Sequence, residues 1–148
     1  RGHTFEEAEQ ALIMTSSMGI RTGAHFIFGL PGETREEMLA EASIISRLPL
    51  TTVKFHQLQI FKGTMMESEY RKNPSDFQLF SWDEYLGFFV RFLEKLNPGI
   101  VVERFTGEAP LRYHTRELWD KKRSDQFADL IEKRLEELDT WQGRLYNS

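Results

Sequence analysis

Residues 23–34, Gly-Ala-His-Phe-Ile-Phe-Gly-Leu-Pro-Gly-Glu-Thr, are an apolar strand run that breaks at glycines and a proline and then starts a helix. Glycine at 29 and 32 lets backbone approach another group closely, Pro31 stiffens the turn, and Thr34 opens a helix whose first N–H groups have no partner inside the helix. Such a turn is either ordinary βα geometry or a place where those N–H groups receive an anionic or polar ligand.

The elements around it repeat the pattern. Thr4-Phe5-Glu6-Glu7 is a capping box, and Ala8, Ala11, Leu12, Thr15 and Met18 give the helix after it a small and apolar stripe that ends at Gly19. A strand over about 21–28 follows. Thr34-Arg35-Glu36-Glu37 is a second capping box, and Met38, Leu39, Ala42, Ile45 and Leu48 make a second amphipathic helix closed by Pro49. A second strand, about 52–61, ends in Phe61-Lys62-Gly63-Thr64, again at a glycine. Helix, strand, helix, strand with short links predicts an α/β fold with a parallel sheet and helices on its outside. Sites in such folds lie at the carboxyl ends of the strands, and two neighbouring strands finishing in glycine loops at one edge favour a site over plain turn geometry.

Beyond Thr64 a polar connection with one short helix near 67–72 leads to Ser81-Trp82-Asp83-Glu84, a third capping box. Tyr85, Phe88, Phe89, Phe92, Leu93 and Leu96 form the strongest apolar stripe of the chain, stopped by Asn97-Pro98-Gly99, and aromatic spacing of this kind marks a core. A short third strand over 100–105 breaks at Thr106-Gly107. Residues 109–122 read as irregular, and a last helix over 125–138 turns Phe127, Leu130, Ile131, Leu135 and Leu138 inward.

Composition narrows the chemistry. A net charge of −4 over 148 residues, with both signs interspersed, gives no global field for nucleic acid, and Lys121-Lys122-Arg123 is too small a basic cluster to argue from. No run nears the about 18 apolar residues of a membrane span, so the chain is expected in the cytoplasm. With no cysteine there is neither disulfide nor thiolate ligand, and His3, His25, His56 and His114 lack the spacing of a metal site. No GxSxG, GxGxxG or GxxxxGK[ST] run is present, which removes the usual support for hydrolase, dinucleotide and phosphate-loop readings.

Two strands hold the candidate site residues. His25, Ile27 and Gly29 share one face of the first, the inner face if Ala24, Phe26, Phe28 and Leu30 pack against helices. A lone histidine there is more often hydrogen-bonded in a core than catalytic. The second strand carries Lys54, His56, Gln57 and Gln59, too many polar groups for a strand covered on both faces unless one face meets polar contents. Its alternation leaves the inward set open, because Val53 and Phe55 fall in one register while Leu58 and Ile60 fall in the other. Glu103 and Arg104 read as a strand-end ion pair or as a contact for a polar substrate.

Taken together, HFIFGLPGET, the βα unit after it, KFHQLQIFKGT, the run Glu103-Arg104-Phe105-Thr106-Gly107-Glu108-Ala109-Pro110 and the tail Trp141-Gln142-Gly143 resemble the later half of radical S-adenosylmethionine enzymes, near the elongator-type and coproporphyrinogen dehydrogenase-like groups. The resemblance implies the C-terminal half of a parallel (β/α) partial TIM-type barrel. Residues 1–64 would be its late βα units, and residues 65–148 an extension with one short strand and helices. It implies that S-adenosylmethionine is bound, with Ile27 and Gly29 matching the family's adenine-contacting GxIxGxxE pattern. His25 stands at the first glycine of that pattern and Gly32 at its acid, while Leu58 or Ile60 would lie against the adenine. His56, Gln57, Gln59 and Arg104 become candidates to face the substrate.

The family's CxxxCxxC motif for a 4Fe-4S cluster is absent, so the cluster ligands are expected upstream in a longer parent and this chain is expected to be inactive alone. In such a parent, reduction through the cluster releases a 5′-deoxyadenosyl radical that takes a hydrogen atom from substrate. Some relatives modify tRNA, which nothing in these residues supports specifically. The alternative is a non-catalytic α/β module that binds a ligand or protein through its glycine loops. The half-barrel reading expects unpaired strand edges and self-association of the fragment; the module reading expects a complete, monomeric domain.

Overall fold

The computed structural model describes residues 2–107, 109–115, 119 and 123–147. Lys121 and Lys122 of the basic cluster lie outside them. Among the described residues, five helices and three strands run in the order α1 (Phe5–Ser17), β1 (Gly23–Phe28), α2 (Arg35–Arg47), β2 (Thr52–Gln57), α3 (Met65–Lys72), α4 (Trp82–Lys95), β3 (Val101–Arg104) and α5 (Ser124–Glu137). The strands form one parallel sheet in the order β1-β2-β3. His25 lies beside Lys54, Phe26 beside Phe55 and Ile27 beside His56, and Lys54 lies beside Arg104 across a register shift in β3. Among the described residues no helix is long and apolar enough to cross a membrane.

The core sits on one face of the sheet. Phe28 and Phe55 stack at 5.3 Å, and Phe92 of α4 meets both edge-on, at 5.0 and 5.2 Å. Phe88 and Phe89 complete the cage, and Met38, Leu39, Ala42 and Ile45 of α2 fill the remaining side. Residues of both the first and the second half of the chain share this core. The capping boxes at Thr4, Thr34 and Ser81 form as the sequence predicts. The tail is tied to the core's rim: Gln142 Nε2 donates to the carbonyls of Asn97 and Ile100, and Asn97 N–H donates to buried Ser46 Oγ.

Several expectations shift. The β2 ladder ends at Gln57 rather than near 61, because after Leu58 the backbone pairs antiparallel with a later segment. There Thr115 N–H donates to Ile60 O, and Lys62 N–H to Tyr113 O. The connection before α4 is less polar in effect than in composition: Phe77 is buried and, with Met66, Tyr70 and Leu79, encloses Leu58 and Ile60 in a second small core. On α5, Phe127 and Ile131 are buried while Leu130 and Leu138 are exposed. α1 has no buried residue; its stripe is half-buried at Ala8, Leu12 and Thr15 and exposed at Ala11 and Met18.

Candidate functional site

Both glycine loops close on themselves. Gly29 adopts φ +90°, a conformation that side chains rarely take, and its N–H and that of Leu30 donate to Glu33 Oε2 at 3.2 and 2.8 Å. Glu37 N–H donates to Thr34 Oγ1 while Thr34 N–H donates to Glu37 Oε2. The second loop does likewise, with Gly63 N–H on Glu67 Oε2 and Glu67 N–H on Thr64 Oγ1. The loop and cap N–H groups at Gly29, Leu30, Thr34 and Gly63 thus bond nearby acids, as in self-capped βα turns.

The polar side chains gather instead on the sheet face opposite the core, in tiers set by the register. One tier holds His25, Lys54, Glu103 and Arg104; the next, toward the carboxyl ends, holds Ile27 and His56. The His25 and His56 rings stack at 5.6 Å. Lys54 Nζ lies 3.0 Å from Glu103 Oε2, so Glu103 pairs with Lys54 rather than with Arg104 beside it. Thr52 first, and then Lys54, bond Glu103, which holds its carboxyl below the usual range. His25 is exposed rather than a hydrogen-bonded core histidine, and Arg104 is exposed too. His56 is half-buried; burial first, then the positive charge of His25, Arg104 and Lys54, keeps its imidazole below the ordinary histidine range, and its Nε2 is shut from solvent without a hydrogen-bond partner.

Other expected site residues are placed differently. Gln57 is buried and clamps the backbone after β3: Gly107 N–H donates to Gln57 Oε1 at 2.9 Å, and Gln57 Nε2 to Gly107 O at 3.0 Å. Gln59 Nε2 donates to the same carbonyl at 2.9 Å. These amides are committed to positioning the loop that flanks His56. A Cβ at Gly107 would lie 2.5 Å from His56 Nδ1, so the loop approaches the ring as only glycine allows. Leu58 and Ile60 are buried under Phe77, which leaves Ile27 as the half-exposed apolar side chain at the strand ends. Glycine spacing conveys none of this; the polar run 54–59, which includes Lys54, is the available signal on β2, and it does not point to Gly107.

A cavity of about 450 Å³ opens beside β1, lined by Ile27, His25, Leu30, Phe5 and Ile44 together with Glu33 and Glu41. Burial, helped by the charge of Glu33, raises the Glu41 carboxyl from 4.5 to about 7. A raised acid pKa means the folded state binds the proton more tightly, so this residue weakens folding increasingly from pH 4.5 to about 7 and fully above it. Glu41→Gln is expected to raise the melting temperature at pH 8 and leave it unchanged at pH 4; equal shifts at both would contradict this.

Among the described residues no three metal-ligating side chains converge, and the chain has no cysteine, so its donors do not fit a 4Fe-4S cluster.

A family model described as the Radical_SAM C-terminal domain matches residues 50–137. The chain is 30% identical over 146 residues to an uncharacterised Bacillus subtilis protein, YtqA, covering 99% of this chain and 44% of that one. It is 33% identical over 106 residues to the uncharacterised protein MJ0486 of Methanocaldococcus jannaschii, covering 72% and 32%. Its fold matches a solved structure of Elp3 from the archaeon Methanocaldococcus infernus, lacking residues 1–46, with a TM-score of 0.79 and 17% identity over 96% of this chain and 33% of that one. The chain thus spans less than half the length of the curated relatives it matches.

Proposed function

Because the chain belongs to the Radical_SAM C-terminal domain family, we propose that it is the C-terminal part of a radical S-adenosylmethionine enzyme and supplies one wall of that enzyme's cofactor and substrate chamber. In this reading the three parallel strands are the late strands of a partial (β/α) barrel, and the face bearing Ile27 and His56 looks inward. The observation that carries it is the stack of polar side chains on a sheet face remote from the hydrophobic core: charged groups have a reason to line the inside of a barrel only where the contents are polar.

Each part of the wall has a role. Half-exposed Ile27 offers the adenine an apolar contact, with Leu58 and Ile60 as the buried backing that fixes its position. Gly29, bent by its positive φ, keeps the strand end clear of side-chain bulk beside it. His56, His25 and Arg104 face the substrate, while Gln57 and Gln59 position rather than contact it, through Gly107. The free edge of β1, flanked by exposed Phe5 and Leu30, is the seam at which the rest of the barrel pairs.

S-adenosylmethionine, bound in the whole enzyme to a cluster held elsewhere, supplies the radical chemistry. This chain's residues orient the bound molecules and exclude water from them.

The test is anaerobic reconstitution of the full-length protein with iron and sulfide, followed by iron counting and product analysis on reduction. About four irons per chain and formation of 5′-deoxyadenosine are expected. A full-length protein that takes up no cluster would overturn the enzyme reading and favour a ligand-binding α/β module.

A further inference from the structure

We propose that the His25–Lys54–Arg104 tier, with His56 above it, binds an oxyanion, a carboxylate or phosphate carried by the substrate. The inference rests on the reading given above in one respect, that the occupant of this face is substrate. Its other supports are local.

The tier contains two fixed cations, Lys54 and Arg104, against one fixed anion, Glu103, and Glu103 is spent on Lys54 at 3.0 Å. Two imidazoles adjoin them, 5.6 Å apart ring to ring. In the barrel proposed above this face is enclosed, and gathering like charges and titratable rings there is costly unless an anion completes the set, because interior tiers of such barrels are otherwise filled by branched apolar side chains. His56 supplies the second observation. Its Nε2 is buried and has no partner, although buried polar atoms nearly always have one.

Burial first, and then the surrounding cations, hold the ring below its ordinary proton affinity. An anion beside the cations would offset their part of that effect and could accept a hydrogen bond from Nε2–H. Arg104 is suited to the anion because its planar fork matches two oxygens at once. The Gln57–Gly107 clamp holds the His56 ring in place as Gly107 packs against Nδ1, which leaves Nε2 as the free donor.

Inorganic phosphate and, separately, acetate are to be titrated into the 148-residue chain while the imidazole resonances of its four histidines are followed by NMR. Saturable shifts at His25 and His56 but not at His3 and His114 are expected. The half-saturation concentration should rise about tenfold in Arg104→Gln, the loss of one charge-assisted pair, and recover in part in Arg104→Lys. Saturation by phosphate alone assigns a phosphate, and saturation by acetate assigns a carboxylate. Parallel, non-saturating shifts of all four histidines, or an unchanged half-point in Arg104→Gln, would overturn the proposal. Because Arg104 is exposed, its replacement leaves the core intact. The titration uses neither iron nor S-adenosylmethionine, so its failure is distinct from a failed reconstitution.

Discussion

Phe55→Ala is expected to lower the unfolding free energy by about 3–5 kcal/mol, the range for emptying a fully buried aromatic site. Phe55 is completely buried, stacks on Phe28 and receives the edges of Phe89 and Phe92, so the void would open where the sheet meets α4 and could not collapse without moving both. For a domain whose total stability is of the order of 5–15 kcal/mol, that loss leaves little reserve. The melting temperature should fall by about 6 °C or more, at roughly 2–4 °C per kcal/mol for a chain of this size. Denaturant unfolding checks it directly: a loss below about 1.5 kcal/mol would mean that the aromatic cage is looser than its ring geometry implies. Phe26→Ala is the internal comparison and should cost less, since Phe26 is only half-buried.

The second large effect is expected at Gly107. An alanine there would place its Cβ 2.5 Å from His56 Nδ1, so the ring or the loop must move, and moving the loop disturbs the bonds from Gln57 and Gln59. Gly107→Ala should therefore cost about 1–3 kcal/mol as an overpacked contact. It should cost much less in a His56→Ala background, where the obstructing ring is gone. A double-mutant cycle reads this as a coupling of more than about 0.5 kcal/mol. Additive losses would show that Gly107 does not press on the imidazole, and the account of how the His56 ring is oriented would fall with it.

The conflict in the second strand shows what a sequence conveys about such a fold and what it withholds. Val53 and Phe55 point to one face and Leu58 and Ile60 to the other, which no single strand between two layers satisfies. The structure resolves this by giving each pair its own core: the first lies under α4, and the second lies under Phe77 and α3 where the ladder has already ended. Local periodicity predicts the helices, because caps and stripes are local, and Met38, Tyr85 and Phe92 are buried as their spacing requires. The site was legible as His25 on one face of the first strand, a surplus of polar residues between 54 and 59, and Arg104 near the end of the third strand. Its organiser, Gly107, is brought beside them by the packing of β3 on β2, and no local pattern announces a contact of that range. The glycine loops show a related limit of local patterns. The N–H groups of Gly29, Thr34 and Gly63 bond Glu33, Glu37 and Glu67, acids within four residues, a pairing that the glycine spacing alone does not announce.

The Gln57–Gly107 clamp joins residues fifty positions apart, and this fixes an order of assembly. On a ribosome the chain emerges from its amino end. β1, α2 and β2 can pair before Gly107 has been made, so His56 is synthesised long before the backbone that orients it. The strands that carry the imidazoles precede the clamp in synthesis, and the His56 ring is oriented only once Gly107 has been made. Nascent chains halted before β3 would carry every histidine of the sheet face and lack the loop that aims one of them.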